Sequence, residues 1–325
     1  MTTDFDKNDI DEKALSANNV GTVKDPSLKT RSGFVSIVGL TNVGKSTLMN
    51  ALVGTKISIV SHKVQTTRQR ILGICIRQNT QIVFIDTPGY FKPQKRLDRA
   101  MVSAALAAPK DGDMTFVLVD PLKRNFDEHM ELIEKVSFKG ERPVALVINK
   151  IDLVSKSDLL GKIEAFTATR NFARVFLIAA LKSEGLGELL DYAAETLPEG
   201  TWLYPEDQIT DMPVRLLAAE ITREKIYRYL HQELPYAIHV ETEQWERFEN
   251  GDVKISQIIH VARDSQKGIV LGKGGQQVKK IGEEARIDIA EMLGQKTHLK
   301  IHVRVTKNWA DNKENFDIMG LDFNA

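Results

Sequence analysis

A short apolar run followed at once by a glycine-bounded loop constrains this chain more than any other feature. Phe34 to Val38 is a β-branched, apolar run of the kind that forms a buried parallel strand. Gly39 to Ser46 then fits G-x-x-x-x-G-K-S, and Thr47 to Leu52 is compatible with a helix. Strand, loop and helix in this order predict a phosphate-binding loop in an α/β domain. The alternative is a plain glycine turn before a capped helix.

Each residue type in this loop is suited to binding phosphate or Mg²⁺. Gly39 and Gly44 let backbone amides turn onto phosphate oxygens with no side chain in the way. Lys45 is expected to neutralise the β and γ phosphates, and the Ser46 hydroxyl to bind Mg²⁺. The start of the helix adds partial positive charge. The predicted phosphate contacts are Gly39, Thr41, Asn42, Val43, Gly44, Lys45, Ser46 and Thr47.

A second motif follows another predicted strand, Gln81 to Ile85. It reads Asp86-Thr87-Pro88-Gly89. An aspartate at a strand end can hold Mg²⁺, usually through water, and the Gly89 amide can sense the γ-phosphate. Taken alone, this pattern is explained by a turn at the end of a strand, but its position after the phosphate loop favours a role in nucleotide binding. Asp86, Thr87, Pro88, Gly89 and Tyr90 therefore join the predicted nucleotide contacts.

Residues 64–70, between the two motifs, are expected to supply a threonine that completes the Mg²⁺ shell. Either Thr66 or Thr67 can fill that role, and the alternative is a solvated polar loop. The predicted metal ligands are Ser46, Thr66, Thr67 and Asp86, and the predicted catalytic residues are Lys45, Thr66, Thr67, Asp86 and Gly89.

Tyr90 occupies the position that often carries a glutamine able to orient the attacking water. A tyrosine cannot position water in the same way. We therefore expect slow unaided hydrolysis, which rises when a target complex supplies the missing stabilisation.

A third motif selects the base. Pro143 to Ile148 predicts another strand, and Asn149-Lys150-Ile151-Asp152 at its end resembles the N-K-x-D of GTP-binding proteins. A carboxylate accepts two hydrogen bonds from guanine N1–H and its amine, and adenine offers neither. After the predicted strand 175–178, Ala179 replaces a common serine, while the Ala180 amide is expected to reach the guanine oxygen. The predicted base contacts are Asn149, Lys150, Asp152, Ala179, Ala180 and Leu181.

The length of the chain and the position of its proline- and glycine-containing segment predict two folding units. A chain of 325 residues is long enough for two cores, and proline- and glycine-containing sequence begins near residue 197. We predict a disordered extension over 1–31, a GTP-binding domain over 32–197, a linker over 198–212, a type II KH domain over 213–310 and a C-terminal tail over 311–325.

The second half predicts a small RNA-binding module. A helix over 214–234, strands over 236–241 and 253–263, and a closing strand over 298–306 give an α-β-β-α-α-β order, that of a bacterial KH domain. Gly272 to Gly275 fits its G-x-x-G loop, which clamps single-stranded nucleic acid. Taken alone, the G-x-x-G pattern is better explained by an ordinary connection between two helices. The predicted RNA contacts are Arg263, Lys267, Gly272, Lys273, Gly274, Gly275, Lys279 and Lys280.

Composition excludes several classes. Lys plus Arg and Asp plus Glu are both 44, so the chain is not a polycation. No run approaches the ~20 apolar residues of a membrane-spanning helix. The single cysteine, Cys75, cannot form an intrachain disulfide; it favours a cytoplasmic setting and a packed thiol.

Together these motifs identify a resemblance to the Era family, bacterial GTPases that join a Ras-like domain to a KH domain. The resemblance covers about residues 33 to 325. It implies a P-loop NTPase fold with a doubly wound, mostly parallel sheet, followed by a smaller α+β type II KH domain. It also implies GTP, GDP and Mg²⁺ as ligands, a monomeric state, binding to the 3′ end of small-subunit (16S) ribosomal RNA, assembly of the 30S subunit, and a peripheral inner-membrane fraction. The segments that carry the resemblance are Gly39 to Ser46, Gln65 to Arg68, Asp86 to Gly89, Asn149 to Asp152, Tyr204 to Asp207, Gly272 to Gly275 and Lys307 to Asp311.

The chain departs from the family pattern at four places: a longer N-terminal extension, Thr41 for proline, Ala179 for serine and Asn308 for glycine. Two other classes of protein are weighed against the resemblance. An ATP-using enzyme shares the phosphate loop but not the Asn149-to-Asp152 motif. A ribosome-associated RNA-binding scaffold with a vestigial nucleotide pocket does not require Lys45, Ser46 and Asp86 to be intact.

Overall fold

The computed structural model describes residues 29–61, 63, 66–122, 126–136, 142–230, 238–307, 309 and 313–325. The chain forms two compact units. The first unit contains the described residues up to Ile57, Leu72–Tyr90 and Ala105–Thr210. The second contains the described residues of Ser58–Ile71, Phe91–Ala104 and Asp211–Ala325. Most of the predicted extension, Gln65, and residues 308, 310 and 311 of the tail motif lie outside the described residues.

A six-stranded sheet with strand order β2-β3-β1-β4-β5-β6 forms the centre of the first unit. The pairs β1–β3, β1–β4, β4–β5 and β5–β6 are parallel. Every residue of β3, β4 and β5 is buried, as expected for strands covered on both faces. The strands are β1 (Arg31–Gly39), β2 (Ile71–Arg77), β3 (Thr80–Asp86), β4 (Met114–Val119), β5 (Val144–Ile148) and β6 (Arg174–Leu177).

Helices between these strands make the sheet doubly wound. They are α1 (Lys45–Val53), α2 (Arg96–Ala107), α3 (Phe126–Lys135), α4 (Lys156–Thr167) and α5 (Leu186–Thr196). Parallel strands place their carboxyl ends at one edge, where ligands bind in such sheets. All three predicted motifs follow strands of this kind, β1, β3 and β5, so the predicted α/β class is confirmed.

The second unit contains the predicted α-β-β-α-α-β order. β7 and β8 are antiparallel, and β8 and β9 are parallel. The apolar faces of the helices and the sheet meet in two clusters, one of which includes Ile226, Ile259 and Ile281 and the other Ile221, Ile255 and Ile289. The elements are α6 (Val214–Tyr229), β7 (His239–Arg247), β8 (Val253–Val261), α7 (Asp264–Leu271), α8 (Gln276–Leu293), β9 (Thr297–Val305) and α9 (Lys313–Ile318).

Two predicted boundaries in this unit differ from the structure. Helix α6 ends at Tyr229 because Leu230 has an extended backbone, so the predicted end at residue 234 is too late. Strand β7 continues to Arg247, beyond the predicted end at Glu241. A register shift between Thr242 and Gln244 interrupts the alternation of buried and exposed side chains there, which hides the rest of the strand from pattern analysis.

The end of the chain packs on helix α2 inside the second unit. Leu97 and Met101 of α2 share an apolar cluster with Trp309, Phe316 and Leu321. All five side chains are buried. The C-terminal segment is therefore part of a core.

No described helix combines the length and the apolar character that crossing a membrane requires. Cys75 lies in β2, and desolvation raises the pKa of its thiol to about 12. The thiol therefore stays protonated at neutral pH, consistent with a packed rather than a reactive cysteine.

Candidate nucleotide site and nucleic-acid interface

The phosphate loop lies between β1 and α1. Gly44 precedes the first residue of α1 with φ 102°, a left-handed conformation that favours glycine. A Cβ on Gly44 would lie 2.4 Å from Nδ2 of Asn149, so no larger residue fits. The Lys45 ammonium is buried and donates to the carbonyls of Gly39 (3.2 Å) and Leu40 (2.9 Å).

Ser46 and Asp86 come together because β1 and β3 are parallel neighbours. The register pairs Ile37 with Asp86, and the Ser46 hydroxyl donates to Oδ2 of Asp86 at 2.9 Å. A hydroxyl beside a buried carboxylate is a hard oxygen donor set, which fits Mg²⁺ with phosphate and water oxygens completing its shell. The described residues contain no group of three or more His, Cys, Asp or Glu side chains placed to hold a metal. The predicted Mg²⁺ site needs no such group.

The Asp86-Thr87-Pro88-Gly89 turn packs directly on the phosphate loop. A Cβ on Gly89 would lie 2.7 Å from Cα of Thr41. The next residue makes two backbone hydrogen bonds: the Tyr90 amide donates to the Gly39 carbonyl (3.1 Å), and the Thr41 amide donates to the Tyr90 carbonyl (3.2 Å). The predicted γ-phosphate sensor is therefore fixed against the loop that is predicted to hold the phosphates.

The Tyr90 side chain is directed to helix α3. Its hydroxyl donates to Glu131 at 3.1 Å and accepts from Lys135 at 3.0 Å. A phenol held in this way does not orient a water at the nucleotide, which agrees with the expected slow unaided hydrolysis.

The base-recognition loop interlocks with the phosphate loop through Asn149. Its Nδ2 donates to the Val43 carbonyl at 2.9 Å, and its Oδ1 accepts from the Ala180 amide at 3.0 Å. Lys150 reaches the same loop, since its ammonium donates to the Asn42 carbonyl at 3.0 Å. Three loops at the carboxyl ends of β1, β5 and β6 thus form one site.

The other residues predicted to contact the base differ in their surroundings. The Ala180 amide donates to Asn149, and its contact with the guanine oxygen stays a prediction. Asp152 forms an ion pair with Lys182 at 3.2 Å. Leu181 is 82% exposed.

Asp120 is a site residue that sequence reasoning missed. It follows strand β4, is 3% exposed, and forms an ion pair of 2.7 Å with Lys150. Its position directly after an apolar run, like that of Asp86, is the signal that points to it. The Asp120 carboxylate fixes the lysine whose stem is expected to cover the base.

Residues 58–71 belong to the second unit, where buried arginines hold them. The Arg68 guanidinium is 3% exposed, donates to the Ile238 carbonyl (2.7 Å) and to the Tyr227 hydroxyl (3.1 Å), and lies over the Trp309 ring. Arg223 donates to the Thr66 carbonyl at 2.5 Å. The Thr66 hydroxyl donates to the Lys63 carbonyl at 2.7 Å, and Thr67 is buried. The Mg²⁺ roles of Thr66 and Thr67 stay predictions.

His239 lies beside this arginine cluster. Its ring stacks on Trp309 with centroids 5.6 Å apart. Desolvation, together with the charge of Arg68 and the nearby His260, lowers the pKa of His239 to about 3. The imidazole is therefore neutral at physiological pH, which avoids adding a further charge to the cluster.

The predicted RNA-binding loop connects α7 to α8. Gly272, Gly274 and Gly275 have φ values of 69°, 62° and 80°. A Cβ on Gly274 or Gly275 would meet no atom within 4 Å, so the backbone is open to a ligand. Arg263, Lys273, Lys279 and Lys280 are exposed, whereas Lys267 is half-buried.

Two of these lysines also have partners within the protein. Lys280 lies over the Tyr229 ring with its nitrogen 4.4 Å from the centroid. Lys279 lies 3.9 Å from Glu283, one helical turn away. Both remain on the solvent side of α8 and lie close to the glycine loop in sequence.

The fold and the site define a class: a Ras-like P-loop GTPase joined to a KH domain. Residues 34–150 match the family of 50S ribosome-binding GTPases, and residues 233–310 match the KH domain. GTPase Era of Sinorhizobium medicae is 54% identical over 91% of this chain and 96% of its own, and GTPase Era of Agrobacterium fabrum is 51% identical over 94% and 96%. The chain belongs to the Era family and is a GTPase.

Solved structures agree with this assignment. An Aquifex aeolicus Era variant bound to GDP and aluminium fluoride has a TM-score of 0.84 at 37% identity, covering 90% of this chain and 99% of that one. Era in complex with MgGDPNP and nucleotides 1506–1542 of 16S ribosomal RNA has a TM-score of 0.83 at 38% identity, with the same coverage.

Asp152 is the residue on which base selection depends. We expect Asp152→Asn to weaken GDP binding about 100-fold, since hydrogen bonds to a charged acceptor are lost, and to favour xanthine nucleotides, whose C2 oxygen accepts from an amide. Titration with fluorescent GDP and XDP measures both. Asp158→Asn, an exposed change in the neighbouring helix, is the control. Unchanged guanine preference in Asp152→Asn contradicts the assignment.

Proposed function

We propose that this protein is a GTP-dependent switch that binds the 3′ end region of small-subunit ribosomal RNA and assists assembly of the 30S subunit. The observation that carries the proposal is the interlock of the phosphate and base loops through Asn149, in a chain that also presents an open glycine loop in a KH domain. The solved complex of Era with MgGDPNP and 16S ribosomal RNA supports both ligands.

The nucleotide site is assigned the following chemistry. Water attacks the γ-phosphorus of GTP, the bond to the β-phosphate oxygen breaks, and GDP and phosphate leave. Lys45 and the loop amides neutralise charge on the phosphates, and the Gly89 amide contacts the γ-phosphate. Ser46 and Asp86 would hold Mg²⁺, which would neutralise the charge that develops on the phosphates, and Thr66 or Thr67 would supply a further ligand. Asp152 and Asn149 select guanine.

The RNA site is assigned to the loop between α7 and α8. Three glycines with left-handed backbones let phosphates approach the main chain closely, and the N-terminus of α8 adds partial positive charge. Lys273 contributes a mobile positive charge, and Arg263, Lys267, Lys279 and Lys280 extend the basic surface along the strand.

The nucleotide site and the RNA site are proposed to be coupled through the chain segments that belong to the second unit. Residues 58–71 and 91–104 flank nucleotide motifs in the sequence yet pack with the KH domain. Any movement of Thr66 or Thr67 toward a γ-phosphate-bound Mg²⁺ changes the contacts of Arg223 and Arg68. Nucleotide state therefore biases how the KH domain binds RNA.

The predicted boundaries, 32–197 for the GTP-binding domain and 213–310 for the KH domain, are proposed as the limits of the two functional domains along the chain. The compact units differ from these limits, because Ser58–Ile71 and Phe91–Ala104 belong to the second unit. A cytoplasmic location follows from the proposed ribosomal RNA partner. A monomeric state and a peripheral inner-membrane fraction remain predictions from the family resemblance.

Hydrolysis by the isolated protein is expected to be slow, because position 90 carries a tyrosine that bonds to α3 in place of a glutamine able to orient the water. An oligonucleotide with the 3′ end sequence of 16S ribosomal RNA is expected to raise the rate, within the range of about 10³–10⁵ that an assisting partner can supply. Phosphate release under single-turnover conditions measures this, with a scrambled oligonucleotide as control. Fast hydrolysis that RNA leaves unchanged argues against a timed switch.

The RNA site is tested by adding acidic residues to the glycine loop. Lys273→Asp with Gly274→Asp is expected to abolish RNA binding and spare GDP affinity, since repulsion replaces attraction at the phosphates. Fluorescence anisotropy with labelled RNA measures binding. Lys296→Asp, an exposed change outside the loop, is the control. Equal RNA affinity in the loop variant and the control places the RNA elsewhere.

The coupling is tested by measuring RNA affinity with GDP and with a non-hydrolysable GTP analogue. We expect the two affinities to differ, and Arg223→Gln to shrink the difference because the arginine no longer holds Thr66. Arg228→Gln, on the exposed side of the same helix, is the matched control. Thermal unfolding midpoints confirm that both variants fold. Equal RNA affinity in the two nucleotide states eliminates an equilibrium coupling.

A further inference from the structure

Tyr90 lies where the chain passes from one compact unit to the other. It is the last residue of Leu72–Tyr90 in the first unit, and Phe91–Ala104 belongs to the second. It also directly follows Gly89, the predicted sensor of the γ-phosphate. A residue in this position can therefore affect the placement of the Gly89 amide in the nucleotide site.

The backbone of Tyr90 is attached on both sides to the phosphate loop. Its amide donates to Gly39 and its carbonyl accepts from Thr41, at 3.1 and 3.2 Å. Gly89 is buried between these bonds, and a Cβ there would lie 2.7 Å from Cα of Thr41. The Gly89 amide therefore has little room to move while both bonds persist.

The side chain of Tyr90 provides a second attachment, to helix α3. The ring is 6% exposed, and the hydroxyl is both donor to Glu131 and acceptor from Lys135. Glu131 and Lys135 are one helical turn apart and form an ion pair. Hydrogen bonds from Lys135 to Glu131 and to Tyr90 raise the pKa of the lysine, so its charge is retained at all physiological pH values.

We propose that Tyr90 is a positioning residue that raises the affinity of the site for GTP relative to its affinity for GDP. Its attachments to the phosphate loop and to α3 hold the Gly89 amide in place before the nucleotide arrives. An amide that is already in place loses less conformational freedom on contacting the γ-phosphate. GDP has no γ-phosphate and gains nothing from this arrangement. This inference rests on the proposed function, because it concerns the same nucleotide site.

The test removes one atom. Tyr90→Phe keeps the ring and the backbone bonds but loses the hydroxyl that bonds to Glu131 and Lys135. We expect the ratio of GTP-analogue affinity to GDP affinity to fall about three- to tenfold, the scale of one ordinary hydrogen bond, because Glu131 and Lys135 are partly exposed to solvent, with GDP affinity unchanged. Titration of the full chain in Mg²⁺ with fluorescent GDP and a fluorescent non-hydrolysable GTP analogue measures the ratio.

Two further variants make the result specific. Lys135→Met removes one of the two partners of the Tyr90 hydroxyl and leaves the bond to Glu131, so its effect is expected to be the smaller one. The double variant is expected to match Tyr90→Phe, because loss of the hydroxyl already removes both bonds. Tyr192→Phe, which removes a hydroxyl from a ring packed on Phe176 elsewhere in the first unit, is the matched control.

The outcomes separate this inference from the proposed function. If the wild type binds neither nucleotide, the proposed function fails. If the wild type binds both and Tyr90→Phe leaves the ratio unchanged, or Tyr192→Phe lowers it equally, the inference is wrong and the function stands. A ratio that rises in Tyr90→Phe also overturns the inference, because Tyr90 then restrains the loop in a conformation that opposes GTP.

Discussion

The Asn149 side chain is the contact on which the nucleotide site depends. One carboxamide donates to the phosphate loop at Val43 and accepts from the Ala180 amide, so it joins the loops after β1, β5 and β6. A Cβ on Gly44 would lie 2.4 Å from the same side chain, so the approach of Asn149 depends on glycine at that position. Because base and phosphates belong to one molecule, the spacing between their loops suits a purine nucleotide as a whole, and Asp152 is left to select guanine.

In the second unit, buried arginines are the comparable constraint. Arg68 and Arg223 are each at most 3% exposed. Arg223 forms an ion pair with Glu220 on its own helix and also holds the Thr66 carbonyl. Burying guanidinium groups is costly unless carbonyls, hydroxyls and carboxylates satisfy them. The segment that contains Thr66 and Arg68 is therefore held by specific polar contacts, whose loss leaves a buried charge.

The sequence predicts the elements whose signal is local. Phe34 to Val38 and Pro143 to Ile148 are apolar runs that end in functional motifs, and a parallel sheet places those ends at one edge. The proximity of Lys45, Asp86 and Asn149 follows from that rule alone. The contacts of Arg223 do not, because a charged residue on a helix is expected to face solvent, and its partner Thr66 is 157 positions away. The hydrogen bond from the Ala180 amide to the Asn149 side chain is equally non-local, because nothing in the sequence around either residue indicates it.

The packing of the C-terminal segment on helix α2 has a consequence for synthesis. Leu97 and Met101 are translated about 220 residues before their partners Phe316 and Leu321. Until those partners leave the ribosome, the apolar side of α2 lacks part of its cover. The nascent first unit can fold during elongation, but this cluster closes only later, so a chain truncated before Phe316 leaves that apolar surface exposed to chaperones and proteases.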